Sequence, residues 1–171
     1  TRAGSLALHE IVLEDHPRLL LFLPLAHCFA RFIQYASIAS DDGVVGYLPD
    51  TKTLLPDLRS FEPTYLLGVP RVFEKVYNAA SQKAGHGAKG VAFAAAVVAA
   101  QNYMKEVSAK GKAGALAKAR RMAFDPVVYA SLREVLGGRA QWIVAGGAPL
   151  DPELMAFFRG AGVPVYEGYG L

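Results

Sequence analysis

Two glycine-bracketed segments stand out in this 171-residue sequence as possible ligand contacts: Gly146-Gly147-Ala148-Pro149-Leu150 and Glu167-Gly168-Tyr169-Gly170-Leu171. Glycine removes the side chain, so a ligand or another backbone can come close. Tyr169 adds one aromatic ring between two such openings, and turns of this kind suffice for a nucleotide-binding module. The same glycines also serve as simple tight-turn residues with Tyr169 a half-buried aromatic. His27 follows the apolar run 19–23 and Pro24, a place where an imidazole orients an anion by hydrogen bonding, although an isolated histidine is more often structural. Arg71 falls at an expected helix N-terminus and either meets an anion, pairs with Glu74 or faces solvent. Asp15-His16 and Asp41-Asp42 lack partners at a recognised metal-ligand spacing and read as loop residues, so no metal site is assigned. Cys28, the only cysteine, reads as a packed thiol.

The elements that position these groups follow from periodicity. Trp142 to Ala145 is an apolar run of buried-strand length. Asp151 is a good N-cap, Pro152 suits the first helical position, and Glu153 favours the positive end of the dipole. Leu154, Phe157 and Phe158 give that helix one apolar face, Gly160 and Gly162 are available to end it, and residues 163–166 form the next strand. Two parallel strands joined by a helix bring both glycine turns to one carboxyl edge, where open α/β sheets bind ligands. Earlier strands are expected at 18–24, 44–48 and 64–69. Helices are expected at 1–15, 28–39, 54–61 and from Pro70 onward. After a break at 85–90, alanine-rich helices fill 91–107 and 113–123, and a further one runs 126–136, capped by Asp125. The fold class is therefore α/β: a mostly parallel sheet of about five strands with helices on both faces, plus an inserted alanine-rich helical segment at 85–138. Strand order is not readable from the sequence.

Composition narrows the function classes. A 53% hydrophobic content fits one domain with a buried sheet rather than disorder. The net charge of +3 is too weak to imply nucleic acid. One cysteine forms no internal disulfide and fits a reducing compartment. There is no secretory signal pattern, and the run 90–100 is too short and alanine-rich to span a membrane. Lys105, Lys110, Lys112, Lys118, Arg120 and Arg121 form a basic stretch opposed only by Glu106. It reads first as a solvated helical face and second as a contact for anionic membrane lipid or acyl carriers. Without interleaved aromatics it does not read as a nucleic-acid platform.

The sequence resembles the adenylate-forming (AMP-binding) enzymes, and within them the long-chain fatty-acyl-CoA synthetases. The resemblance rests on Gly146-Gly147-Ala148-Pro149-Leu150 and Glu167-Gly168-Tyr169-Gly170-Leu171. It is supported by Pro24-Leu25-Ala26-His27, by Phe61-Glu62-Pro63-Thr64 and by Val69-Pro70-Arg71-Val72-Phe73-Glu74-Lys75-Val76. It covers almost the whole chain and is weakest over 83–139. It implies that Tyr169 stacks on adenine and that Gly146, Gly147 and Ala148, with Pro149, contact adenine and line the acyl pocket. Glu167, Gly168, Gly170 and Leu171 would complete the wall, and His27 would lie beside the reacting carboxylate and the α-phosphate. The implied reaction uses ATP and Mg²⁺ to convert a long-chain fatty acid to an acyl-adenylate, which the thiol of coenzyme A (CoA) then attacks. The implied setting is cytoplasmic, with possible peripheral contact at the inner face of a membrane.

In the family, a Ser/Thr-Gly-rich phosphate loop precedes the segment corresponding to Thr1, and a Thr-Glu pair for phosphate and Mg²⁺ follows the position of Leu171. The resemblance thus implies one partial AMP-binding domain, residues 1–171, with the Mg²⁺ ligands outside it. Two other classes fit the same residues: a different nucleotide-binding α/β domain, and a non-catalytic lipid- or protein-interaction module built on the alanine-rich helices. On the ligase reading, the 171-residue polypeptide alone is expected not to adenylate. Pyrophosphate release from ATP and fatty acid at the rate of an intact synthetase would overturn that expectation.

Overall fold

Short apolar runs separated by helices have one economical solution, a parallel sheet whose crossovers cover its faces. The computed structural model describes residues 16–26, 28–38 and 43–168. In chain order the elements are β1 (Arg18–Leu21), α1 (Cys28–Ile38), β2 (Val44–Tyr47), α2 (Leu54–Phe61), β3 (Tyr65–Gly68), α3 (Pro70–Ala84) and α4 (Ala88–Lys110). They continue with α5 (Ala115–Phe124), α6 (Ala130–Val135), β4 (Trp142–Ala145), α7 (Pro152–Gly160) and β5 (Val165–Glu167). The sheet order is β2-β1-β3-β4-β5, and every pairing is parallel. This is a doubly wound α/β arrangement. The sequence-predicted helix at 1–15 lies outside the described residues.

Alternation along the strands divides the core in two. Leu20, Leu66, Ile143 and Val165 face a large layer containing Leu58, Phe73, Phe93, Leu132 and Phe158 from the following helices. Leu19, Tyr65 and Leu67 face the opposite way, where Ile33 of α1 covers them. Towards β5 that second face thins out: Trp142 is half-buried, and Tyr166, 41% exposed, lies with its ring centroid 5.1 Å from that of Trp142.

The inserted helices are part of the large core. Phe93 of α4 packs on Phe157 at 6.1 Å, Tyr77 of α3 packs edge-on to Phe157 at 5.5 Å, and Phe73 meets Phe158 at 5.7 Å. The alanine content of α4 has a steric purpose. Ala96 and Ala100 are fully buried, and α7 comes so close that a Cβ on Gly160 would lie 2.3 Å from the Ala100 carbonyl oxygen. Charged side chains seal the far end. Arg121 Nε donates to the Gly160 carbonyl at 2.5 Å, and Arg133 donates to the Ala161 carbonyl at 2.7 Å. Inside, the Tyr129 hydroxyl donates to the Ala96 carbonyl at 2.6 Å; burial, the main cause, pushes this phenol up to about 12.

Two local expectations change. The break at 85–90 is shorter, because α4 begins at Ala88 and only Gly85 and Gly87 take positive φ. Asp125 does not cap a separate helix. It opens a π-helical turn, Asp125–Tyr129, that carries α5 into α6, and its carboxylate receives both terminal nitrogens of Arg133 at 2.8 and 3.0 Å. A bidentate guanidinium–carboxylate pair is the more specific use of an aspartate.

The hydrogen bond from Arg133 is the main reason the Asp125 carboxyl is held below its usual value; burial opposes it, and the charges of Arg133 and Arg121 add to it. A depressed native pKa gives stability that is present above the unfolded-state pKa and is lost as pH falls through the native one. The carboxylate is 36% exposed, so screening limits the effect, and Asp125→Asn is expected to cost about 1 kcal/mol at neutral pH. Urea midpoints of the two proteins should converge as the pH drops below the ordinary carboxylate range; a constant difference would count against the ion pair.

Candidate functional site

Parallel strands deliver their exits to one edge, and short backbone hydrogen bonds tie these exits together. The Gly146 amide donates to the Gly68 carbonyl at 2.9 Å, joining the exits of β4 and β3. The Gly168 amide donates to the Ala145 carbonyl at 2.8 Å, joining those of β5 and β4. The two glycine segments expected to form a site are therefore adjacent through Gly168. Gly147 turns at φ +83°, a conformation that disfavours any side chain. Gly147, Ala148 and Pro149 are exposed, whereas Gly146 and Leu150 are buried anchors on either side. The result is an open ledge of nearly bare backbone.

Helix α7 fixes the lower end of the ledge. Asp151 caps it by accepting the Leu154 amide at 2.8 Å, and Pro152 occupies the first turn. Glu167 adds a constraint that residue type alone does not reveal: its Oε1 accepts the amide of Leu150 at 2.9 Å. One side chain from the β5 exit thus holds the end of the β4 loop. Sequence reasoning placed Glu167 in the wall through its backbone and missed this carboxylate bridge. The bridge joins residues seventeen positions apart and has no periodic signature.

His27, Tyr169, Gly170 and Leu171 lie outside the described residues. Their neighbours are placed: β1, which leads to Pro24, lies between β2 and β3, and Gly168 stands beside β4. Arg71, in the first turn of α3, is exposed and lines, with Glu74 and Lys75, an open groove of about 490 Å³. The groove runs along α3 towards Gln82, away from the glycine ledge, and Lys75 is engaged with the Thr51 carbonyl at 2.7 Å. The ledge itself offers backbone amides, carbonyls and shape. This suits recognition of a flat polar ring, and among the described residues of the ledge there is no acid–base pair.

A family profile described as AMP-binding enzyme matches residues 2–171. The chain is 48% identical over 168 residues to the long-chain-fatty-acid–CoA ligase FadD15 of Mycobacterium tuberculosis, covering 98% of this chain and 28% of that protein. It is 34% identical over 155 residues to long chain acyl-CoA synthetase 4 of Arabidopsis thaliana, covering 89% of this chain and 22% of that one. Among solved structures, the A-PCP didomain of carboxylic acid reductase from Segniliparus rugosus, in complex with AMP, aligns with a TM-score of 0.52 and 26% identity. That alignment covers 90% of this chain and 18% of the didomain. The chain therefore spans under a third of the length of the curated relatives it matches.

The Glu167 bridge yields a direct expectation. Glu167→Ala should speed hydrogen exchange at the Leu150 amide and cost about 1 kcal/mol, while Glu167→Gln, which keeps an acceptor oxygen, should retain most of the protection. Exchange at the Leu150 amide as slow in Glu167→Ala as in the wild-type protein would show that the carboxylate does not hold the loop.

Proposed function

Because the chain belongs to the AMP-binding enzyme family, we propose that its glycine ledge is one wall of the adenylate pocket of a long-chain fatty-acid–CoA ligase. The observation that carries this reading is the hydrogen bond from Gly168 to Ala145, which sets the start of the second glycine segment beside the first at the carboxyl edge. In this reading residues 1–171 are one partial AMP-binding domain, with the helical excursion 85–138 inserted before β4. Tyr169 stacks on adenine. Gly146, Gly147, Ala148 and Pro149 line the ring and the acyl entrance, and Glu167, Gly168, Gly170 and Leu171 close the wall. His27, just beyond β1, orients the carboxylate and the α-phosphate.

The whole protein would use ATP to turn a fatty carboxylate, a poor acyl donor, into a mixed anhydride whose AMP leaves readily when the CoA thiol attacks. Two anions must meet, so charge neutralisation is the central requirement. Mg²⁺, when bound, would supply part of it; its ligands are proposed to lie outside residues 1–171, since the carboxylates at the described ledge, Asp151 and Glu167, are each bound to a backbone amide. The proposed setting is cytoplasmic, with peripheral contact to membrane lipid through the basic stretch 105–121.

Ligand binding to the native state raises stability by mass action, about 2.7 kcal/mol at a hundredfold excess over Kd. A non-hydrolysable acyl-adenylate mimic is expected to raise the melting temperature of the protein carrying this sequence by several degrees. AMP should raise it less, and Tyr169→Ala should abolish most of the shift. Equal stabilisation of Tyr169→Ala would remove Tyr169 from the adenine site, and no shift with the mimic would refute the pocket.

A further inference from the structure

Helix α5 has an outward face unlike that of an ordinary solvated helix. At about 100° per residue, Ala117 marks its inward side, with the half-buried Arg121 and Phe124 beside it. The opposite arc consists of Ala115, Leu116, Ala119, Met122 and Ala123, all exposed. Leu116 is 65% and Met122 66% exposed, and Val127 in the next turn is 63% exposed. Lys118 flanks this apolar crest on one side and Arg120 on the other, while Lys110 and Lys112 stand exposed just before the helix. Ordinary exposed helices place charge at the centre of the outer face and apolar residues inward. Here the centre is apolar and the rims are cationic.

The nearby acids do not neutralise these cations. Between Val107 and Phe124 there is no Asp or Glu. Glu106 accepts the Gly114 amide at 2.8 Å, Asp125 is held by Arg133 at 2.8 Å, and Glu153 faces Lys105 at 3.7 Å. Two members of the basic stretch are also committed elsewhere. Lys105 has that partner, and Arg121 turns inward to the Gly160 carbonyl and lies 5.3 Å over the ring of Tyr103. The cations left for an outside partner are Lys110, Lys112, Lys118 and Arg120.

We infer that α5 is an interfacial helix that lays Leu116, Met122 and Val127 into an anionic lipid surface while Lys118 and Arg120 meet phosphates on either side. A convex apolar crest has no groove for a partner helix or peptide, and its two cationic rims match a plane of headgroups. Long basic side chains reach past apolar neighbours to such headgroups. Among the described residues no helix is long and apolar enough to cross a membrane. The inference deepens the lipid contact proposed above and rests on that part of the reading alone. Vesicle binding and stabilisation by an acyl-adenylate mimic are separate measurements, so either can fail without the other.

The test is co-sedimentation of the protein with phosphatidylcholine vesicles, with and without phosphatidylglycerol. Binding is expected only with phosphatidylglycerol, and each removed cation should weaken it about fivefold. Lys118→Gln/Arg120→Gln should therefore lose roughly twenty-five-fold. Leu116→Gln/Met122→Gln should lose binding severalfold with little change in melting temperature, because both side chains already face water and glutamine keeps the helix propensity. Absence of binding, equal binding to neutral vesicles, or wild-type binding by either double variant would overturn the inference. So would retention only on an acidic protein such as an acyl carrier.

Discussion

The contact on which most of this structure depends is the approach of two backbones, α4 at Ala100 and α7 at Gly160. Helices normally pack with their axes 8–10 Å apart because side chains intervene. Here a glycine on one side and alanines on the other remove them, and even one methyl group on Gly160 would collide with the Ala100 backbone. The consequence runs outward. α7 links β4 to β5, so fixing α7 against α4 helps to fix the two strands whose exits carry the ledge. The inserted helices thus brace the ledge from behind. Arg121 and Arg133 complete the brace by satisfying the Gly160 and Ala161 carbonyls, which a helix end otherwise leaves without partners.

Strand order sets where a ligand would lie. In the order β2-β1-β3-β4-β5 the chain reverses direction across the sheet between β1 and β3. Open α/β sheets bind at such a switch point, at the carboxyl ends. The exit of β1 towards Pro24 and the exit of β3 at Val69 flank that point, and the glycine ledge continues it across β4 and β5. On the proposed function, the acyl and phosphate end of the ligand lies nearer the switch and the adenine end nearer β5. The hydrogen bonds Gly146 to Gly68 and Gly168 to Ala145 make this one continuous edge.

The parts legible in the sequence are those governed by local rules. Four-residue apolar runs announced the strands, Asp151-Pro152-Glu153 announced the start of α7, and the parallel arrangement followed from intervening helices. Side-chain pairings across long separations were not legible. Nothing local in Glu167 signals a bond to Leu150, and Asp125 followed by Pro126 imitates a helix start. Its pairing with Arg133, eight residues on, appears only once a π-helical turn has rotated both to the same side. Strand order was unreadable for the same reason, since crossover length does not say which neighbour a strand chooses. The basic stretch was legible as a run of charge, but not as the two populations it contains.

That division of the cations also bears on the site. Arg121 and Arg133 lie at the opposite end of α7 from the ledge, where they neutralise carbonyls, and Lys75 is held by Thr51. Among the described residues the segments 146–151 and 167–168 carry no cation and two carboxylates, Asp151 and Glu167, each already bonded to a backbone amide. On the proposed function, a ledge so poor in free charge discriminates ligands by shape, by stacking and by backbone hydrogen bonds, which act on an uncharged ring at close range. It does little to bring two anions together. On the proposed function, this wall supplies recognition and orientation, and neutralisation of the phosphates falls to groups other than those on the ledge.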